Sequence, residues 1–109
     1  MQSLQPQELT AFLQAEPQAL LLDVREPWEL QQCRITVPGV QNVDIPMHLV
    51  PLRLAEIKRE QPVVCICHHG ARSAQVVAFL ERQGYEQAYN LTGGIDAWST
   101  QVDMGVARY

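Results

Sequence analysis

Apolar positions along the chain fall into two kinds of run, and the two kinds alternate. Ala19 to Val24, closed by Asp23, is a continuous apolar stretch, as are Val63 to Cys67 and Ala88 to Leu91. Each is too short for a stable helix and reads as a strand, the first two buried on both faces. Val43 to Ile45 is a shorter candidate strand. Between these runs the apolar residues recur at helical spacing. Leu9, Phe12 and Leu13 follow Pro6, which the first turn of a helix tolerates, although Gln5 is a weak cap for its start. Ser73 to Gln83 is the clearest helix: Val76, Phe79, Leu80 and Gln83 share a face, and Gly84 stands where a C-terminal cap belongs. Glu26-Pro27-Trp28-Glu29 looks like a turn opening a short helix. Pro38-Gly39 marks a turn. Pro51 is expected to start a helix carrying Leu52, Leu54, Ala55 and Ile57, ended by Gln61-Pro62. Gly93-Gly94 is a turn from which Ile95 to Trp98 begins the last helix.

Strands alternating with helices predict an α/β fold with a central, mostly parallel sheet of about five strands and helices on both faces. At 109 residues this is expected to be a single domain, residues 1–109. Sites in such sheets lie at the carboxyl ends of strands, and Cys67 falls at the end of one.

Composition narrows the function. With 47% hydrophobic and 18% charged residues the chain is globular, and a net charge of -4 with no basic cluster gives no nucleic-acid surface. No stretch is long enough to span a bilayer, and the opening Met1-Gln2-Ser3-Leu4-Gln5-Pro6 lacks the basic and apolar regions of a secretory signal. Three unevenly spaced cysteines do not suit a disulfide framework. A reducing, cytoplasmic setting with free thiols is the expectation.

The chemistry is concentrated in Cys67-His68-His69-Gly70-Ala71-Arg72-Ser73, which joins a buried strand to the strongest helix. A short strand-to-helix loop can turn successive backbone N–H groups into one concavity, and the helix N-terminus adds partial positive charge there. Gly70 permits the backbone conformation this requires. A cysteine in that setting is a candidate thiolate nucleophile, because the anion gains those donors. Arg72 is close enough in sequence to help bind an anionic substrate.

Other assignments compete. Cys65 lies within the strand and suits a core role. Cys65, Cys67, His68 and His69 are residue types that hold zinc, but adjacent histidines on a tight loop are expected to point apart, and no second ligand cluster is present. Cys33 is read as packing, His48 as surface, Trp98 as core and Gly93-Gly94 as a plain turn. Asp23 and Arg25 form a structural ion pair or line the site: support is favoured for Asp23, and Arg25 is left open.

Four segments together resemble the rhodanese family. The Cys67 to Ser73 loop is similar to its C-x-x-G-x-R-[ST] active-site loop. Leu22-Asp23-Val24-Arg25 with Glu29 resembles its D-x-R-x-x-x-E segment, Pro38-Gly39-Val40 to Ile45-Pro46 its P-G-A-x-N-I-P segment, and Asn90 to Trp98 its L-x-G-G-x-x-A-W ending. The likeness runs through nearly the whole chain in order. The chain departs from it at Cys33-Arg34-Ile35, where the family usually carries Gly-His-Ile, and at Val40, which replaces alanine.

The resemblance implies a sulfurtransferase of the single-domain bacterial kind. Cys67 would carry a persulfide, the N–H groups of His68 to Ser73 would cradle it, and Arg72 would favour an anionic donor. The donor would be thiosulfate or a persulfide, the acceptor a thiol or a protein, with no metal and no organic cofactor. One rival is a persulfide relay or partner-binding module without turnover. Another is a cysteine-dependent phosphatase or arsenate reductase. The phosphatase signature places five residues between cysteine and arginine, whereas only His68, His69, Gly70 and Ala71 separate Cys67 from Arg72.

Overall fold

In a computed structural model covering residues 1–109, the chain builds a five-stranded, all-parallel sheet. The strands are β1 (Gln2–Leu4), β2 (Leu20–Asp23), β3 (Gln41–Asp44), β4 (Val63–Ile66) and β5 (Ala88–Leu91), in the order β1-β5-β4-β2-β3. The helices are α1 (Pro6–Ala15), α2 (Pro27–Leu30), α3 (Ala71–Arg82) and α4 (Gly94–Gln101).

The continuous apolar runs are the central strands because side chains alternate across the sheet and both faces are covered. Leu20, Leu22, Val63, Cys65 and Ala88 face α3, packing with Val76, Val77 and Leu80. Leu21, Val64, Ile66 and Leu91 face the other way, against Leu9 and Leu13 of α1 and Ile95 and Trp98 of α4. At the start of α1, Glu8 accepts the backbone N–H of Gln5 at 2.7 Å, so a residue with little capping strength of its own still begins the helix.

Two features differ from the sequence expectation. The fifth strand is β1, a three-residue edge piece carrying a single buried side chain, Leu4, so no apolar pattern announces it; its pairing with β5 defines it. The helix expected from Pro51 does not form. Short 3₁₀ turns at Met47–Leu49 and Leu54–Glu56 take its place. Here the Tyr85 hydroxyl, reaching from beyond α3, donates to the carbonyl of Ile57 at 2.5 Å and lies 3.3 Å from that of Leu54. Those carbonyls thus have a tertiary partner. Val50 and Ile57 are buried while Leu52 is 82% exposed, a pattern set by a winding path rather than by one helical face.

The carboxyl ends of β2, β4 and β5 come together at one edge. Asp23 is beside Ile66 in register, and Cys65 beside Asn90. Every group described next lies on or near that edge.

Candidate active site

Cys67 follows β4 directly and remains in the core, with 1% of its surface exposed. Its Sγ accepts the backbone N–H of Gly70 at 3.0 Å. Gly70 precedes α3 in the left-handed region, φ 102°. That turn reverses the chain so that the N–H three residues along faces the sulfur. The remaining N–H groups from His68 to Ser73 have no acceptor within the protein. Those of Ala71, Arg72 and Ser73 belong to the first turn of α3, where donors are unpaired by construction. The carbonyls of Cys67 and His68 accept N–H groups of Ile95 and Asp96 at 2.9 and 3.1 Å. In a trans peptide the N–H points opposite to the C=O, so the His68 and His69 N–H groups face away from α4. The result is one backbone donor on Sγ, from Gly70, within a loop whose other N–H groups have no partners of their own.

Gly94 makes this possible. A Cβ there would overlap the carbonyl groups of Cys67 and His68. Gly93-Gly94, expected as a plain turn, is where the α4 N-terminus presses against the Cys67 loop.

Ser73 is fully buried, with its Oγ 3.3 Å from Cys67 Sγ and 2.5 Å from Asn90 Oδ1. Asn90 donates in turn to the Gly70 carbonyl at 3.2 Å, which fixes its amide with the oxygen toward Ser73. A hydroxyl has one proton: it serves Asn90 while Cys67 is a thiol and can turn to the sulfur when that becomes an anion. Asn90 was not among the expected site residues, although a polar residue inside an otherwise apolar strand was a signal for it.

Around this centre lies a web of charges. Asp23 and Arg25 form a buried pair, with Nε to Oδ1 at 2.9 Å and Nη2 to Oδ2 at 2.8 Å. Arg25 also donates to the Cys33 carbonyl at 2.8 Å and to the Tyr109 hydroxyl at 3.1 Å. Burial works against its charge, but Asp23 and Tyr109 outweigh it and raise its pKa. Both residues therefore brace the end of β2. Arg72 gives both terminal nitrogens to Glu29, at 2.6 and 2.8 Å. Glu29 accepts the Glu26 N–H at 3.0 Å and the Tyr109 hydroxyl at 2.7 Å as well. The Arg72 hydrogen bonds, more than any other partner, draw the Glu29 carboxyl from its ordinary 4.5 to about 2, against the opposing effect of burial. Glu29 in turn raises the pKa of Arg72, chiefly through these hydrogen bonds. Glu29 and Tyr109 were not expected here. Glu29 stood in a quoted motif, while nothing in the sequence connects Tyr109 to residues some 80 positions earlier.

His68 and His69 do not point apart as expected. Their rings stack with centroids 3.9 Å apart, because Tyr109 stacks on His68, also at 3.9 Å and 8° from parallel, and confines it. Burial, with His69 beside it, lowers the pKa of His68. His69 is exposed, its Nδ1 3.9 Å from Asp96. Burial pushes the Cys65 thiol well above the usual range, Cys67 adding to the effect, so Cys65 is a core side chain. No group of three or more His, Cys, Asp or Glu side chains is placed to hold a metal ion. His48 is exposed and Trp98 buried, as expected.

Comparison with known proteins gives a consistent picture. The model of the rhodanese-like domain matches residues 5–101. A protein of Allochromatium vinosum described as a sulfurtransferase is 45% identical over 80 residues, covering 73% of this chain and 71% of that one. The thiosulfate sulfurtransferase GlpE of Pseudomonas syringae is 31% identical over 85 residues, covering 78% and 76%. Some relatives are much longer proteins, of which this chain spans 26–31%. The crystal structure of a rhodanese-like domain protein from Staphylococcus aureus superposes with a TM-score of 0.79 at 31% identity, over 100% of this chain and 99% of that one.

Proposed function

The chain belongs to the rhodanese-like domain family, and from that premise we propose that it moves a sulfane sulfur from a small anionic donor such as thiosulfate to a thiol or protein acceptor, through a persulfide on Cys67. The Cys67 thiolate attacks the outer sulfur of the donor. The donor's S–S bond breaks, sulfite leaves with the electron pair, and a persulfide anion remains on Cys67. A nucleophilic acceptor, cyanide in an assay or a thiol, then takes the terminal sulfur, and the Cys67 thiolate is restored. This is covalent catalysis with ping-pong kinetics.

The observation that carries the reading is the placement of Cys67 Sγ on the Gly70 N–H, 3.0 Å away, among loop N–H groups with no other acceptor. Such fixed donors stabilise negative charge on the inner sulfur, and on a second sulfur attached to it, without reorganising. Ser73 can add one more hydrogen bond, while the charge of Arg72 is paired with Glu29, so the Arg72 side chain contributes through its position beside the loop rather than as free charge. Metal and organic cofactors have no part in these steps.

The loop length favours this chemistry over phosphate transfer. Each loop residue contributes one N–H to the ring, and a phosphoryl group brings three oxygens that need donors where a persulfide brings one sulfur. The test is turnover. Thiosulfate with cyanide should yield thiocyanate with parallel double-reciprocal lines, aryl phosphates should not be hydrolysed, and Cys67→Ser should abolish the transfer. Phosphatase turnover lost in Cys67→Ser would overturn the reading. Persulfide formation without turnover would leave a relay.

A further inference from the structure

Residues 102–109 lie beyond the segment matched by the family model, which ends at 101, yet they return to the active site. After α4 the chain turns on hydrogen bonds from the Val102 and Asp103 N–H groups to Trp98. Val106 packs against the α1 and α4 side of the core. Arg108 pairs with Asp96 of α4 at 2.9 Å. Tyr109 then stacks on His68, meets Trp28 edge-on with centroids 6.0 Å apart, accepts from Arg25 and donates to Glu29. Cys67, meanwhile, is 1% exposed, and none of the four surface cavities is lined by a residue of its loop. Tyr109 thus covers the His68 ring of the loop that holds Cys67 and reaches Arg72 of the same loop through Glu29.

We propose that residues 103–109 form a strap across the mouth of the active site and that Tyr109 is its specificity-determining residue, closing Cys67 to bulky reaction partners while small ones still reach it. For sulfur transfer this rests on the function proposed above, but the closure itself does not. The strap is anchored at few points: Val106, the exposed Arg108–Asp96 pair, and Tyr109. Asp103, Met104, Gly105 and Ala107 between them are exposed. A segment with so few buried contacts opens locally at far lower cost than the sheet beneath it. A small ion needs only a slight opening. A thiol on a protein or a large cofactor needs the Tyr109 ring to leave His68, which breaks a stacked pair and two hydrogen bonds together.

The test compares two alkylating reagents of the same chemistry and different size, iodoacetamide and a dye-tethered iodoacetamide. Rates at Cys67 are followed by mass spectrometry with fragmentation of its peptide, which also carries Cys65, so that fragment ions on either side of Ile66 separate the two thiols; Cys33 lies on another peptide. Their ratio cancels any change in the reactivity of the thiol itself. Tyr109→Ala should raise the rate of the bulky reagent relative to the small one by about tenfold, the scale of one ring stack and its hydrogen bonds. Tyr109→Phe, which keeps the ring, and Arg108→Ala, which releases an exposed anchor without touching the core, should each raise it by less. An unchanged ratio in all three variants, with the fold intact by circular dichroism, overturns the strap. If wild-type protein transfers sulfur while the ratio stays fixed, the strap alone falls. If the ratio shifts and no sulfur is transferred, the strap stands and the proposed function falls.

Discussion

Glu29 is the residue on which the charged half of the site converges. Its two oxygens accept four hydrogen bonds, two from Arg72, one from Tyr109 and one from the Glu26 N–H. Its carboxyl, ordinarily titrating at 4.5, is held down to about 2. A depressed acid stabilises the fold when ionised, so this contribution is complete above 4.5 and is lost as pH falls through about 2. Glu29→Gln removes the linkage. At neutral pH the variant should be less stable by about 1–3 kcal/mol, discounted because Arg72 keeps access to water. On acidification toward about pH 3 it should lose less further stability than the wild type does. Urea unfolding across that range measures both, and equal pH slopes would show that Glu29 does not titrate as described. The candidate centre was legible in sequence because Cys67, Gly70, Arg72 and Ser73 stand within one short loop, and the structure places that loop at the end of β4. Glu29, Asn90 and Tyr109 reach the site from other elements, across 17 to 80 positions: Asn90, polar in an apolar strand, and Glu29, in a family motif, could be marked but not paired, and Tyr109 leaves no local trace.

At the scale of elements, the site is a junction between two strand-to-helix turns. The β4–α3 loop holds the sulfur, and the β5–α4 turn shapes that loop by binding its carbonyls. Gly94→Ala tests the junction. The added Cβ meets the Cys67 and His68 carbonyl groups, and the backbone there has φ 63°. The variant should lose at least about 2 kcal/mol of stability from the left-handed backbone and the clash together. Its transfer activity should fall further than Gly39→Ala, where φ is 79° but no atom lies within 4 Å. Thermal melts and sulfurtransferase assays of the two variants give the comparison, and equal losses of activity would mean that close packing at Gly94 has no special bearing on the loop. The elements with strong periodicity or continuous apolar runs, α3, β2, β4 and β5, were readable because the sheet buries both of its faces. The helix expected from Pro51 was not formed: its place is taken by short 3₁₀ turns, and the carbonyls of Leu54 and Ile57 meet the Tyr85 hydroxyl, while β1 stayed hidden because three residues carry no pattern.

Across the whole molecule, the parallel sheet brings the ends of β2, β4 and β5 to one edge, and each supplies a different part: charge support from Asp23 and Arg25, the Cys67 loop, and the glycine turn that orients it. The order of segments along the chain made the family resemblance visible, since four separated motifs occur in sequence and the fold explains their order. What binds them into one site is three-dimensional, and the persulfide proposed on Cys67 is the central claim made for that site. The direct measurement is intact-mass spectrometry after incubation with thiosulfate or a small persulfide, followed by fragmentation of the peptide that carries both Cys65 and Cys67 to place the added sulfur. The protein should gain one sulfur, about 32 Da, on the peptide containing Cys67. Cyanide should remove it, Cys65→Ala should retain it and Cys67→Ser should not acquire it. No gain in mass with any sulfur donor, or a sulfur mapped to Cys65 or Cys33, would contradict the account.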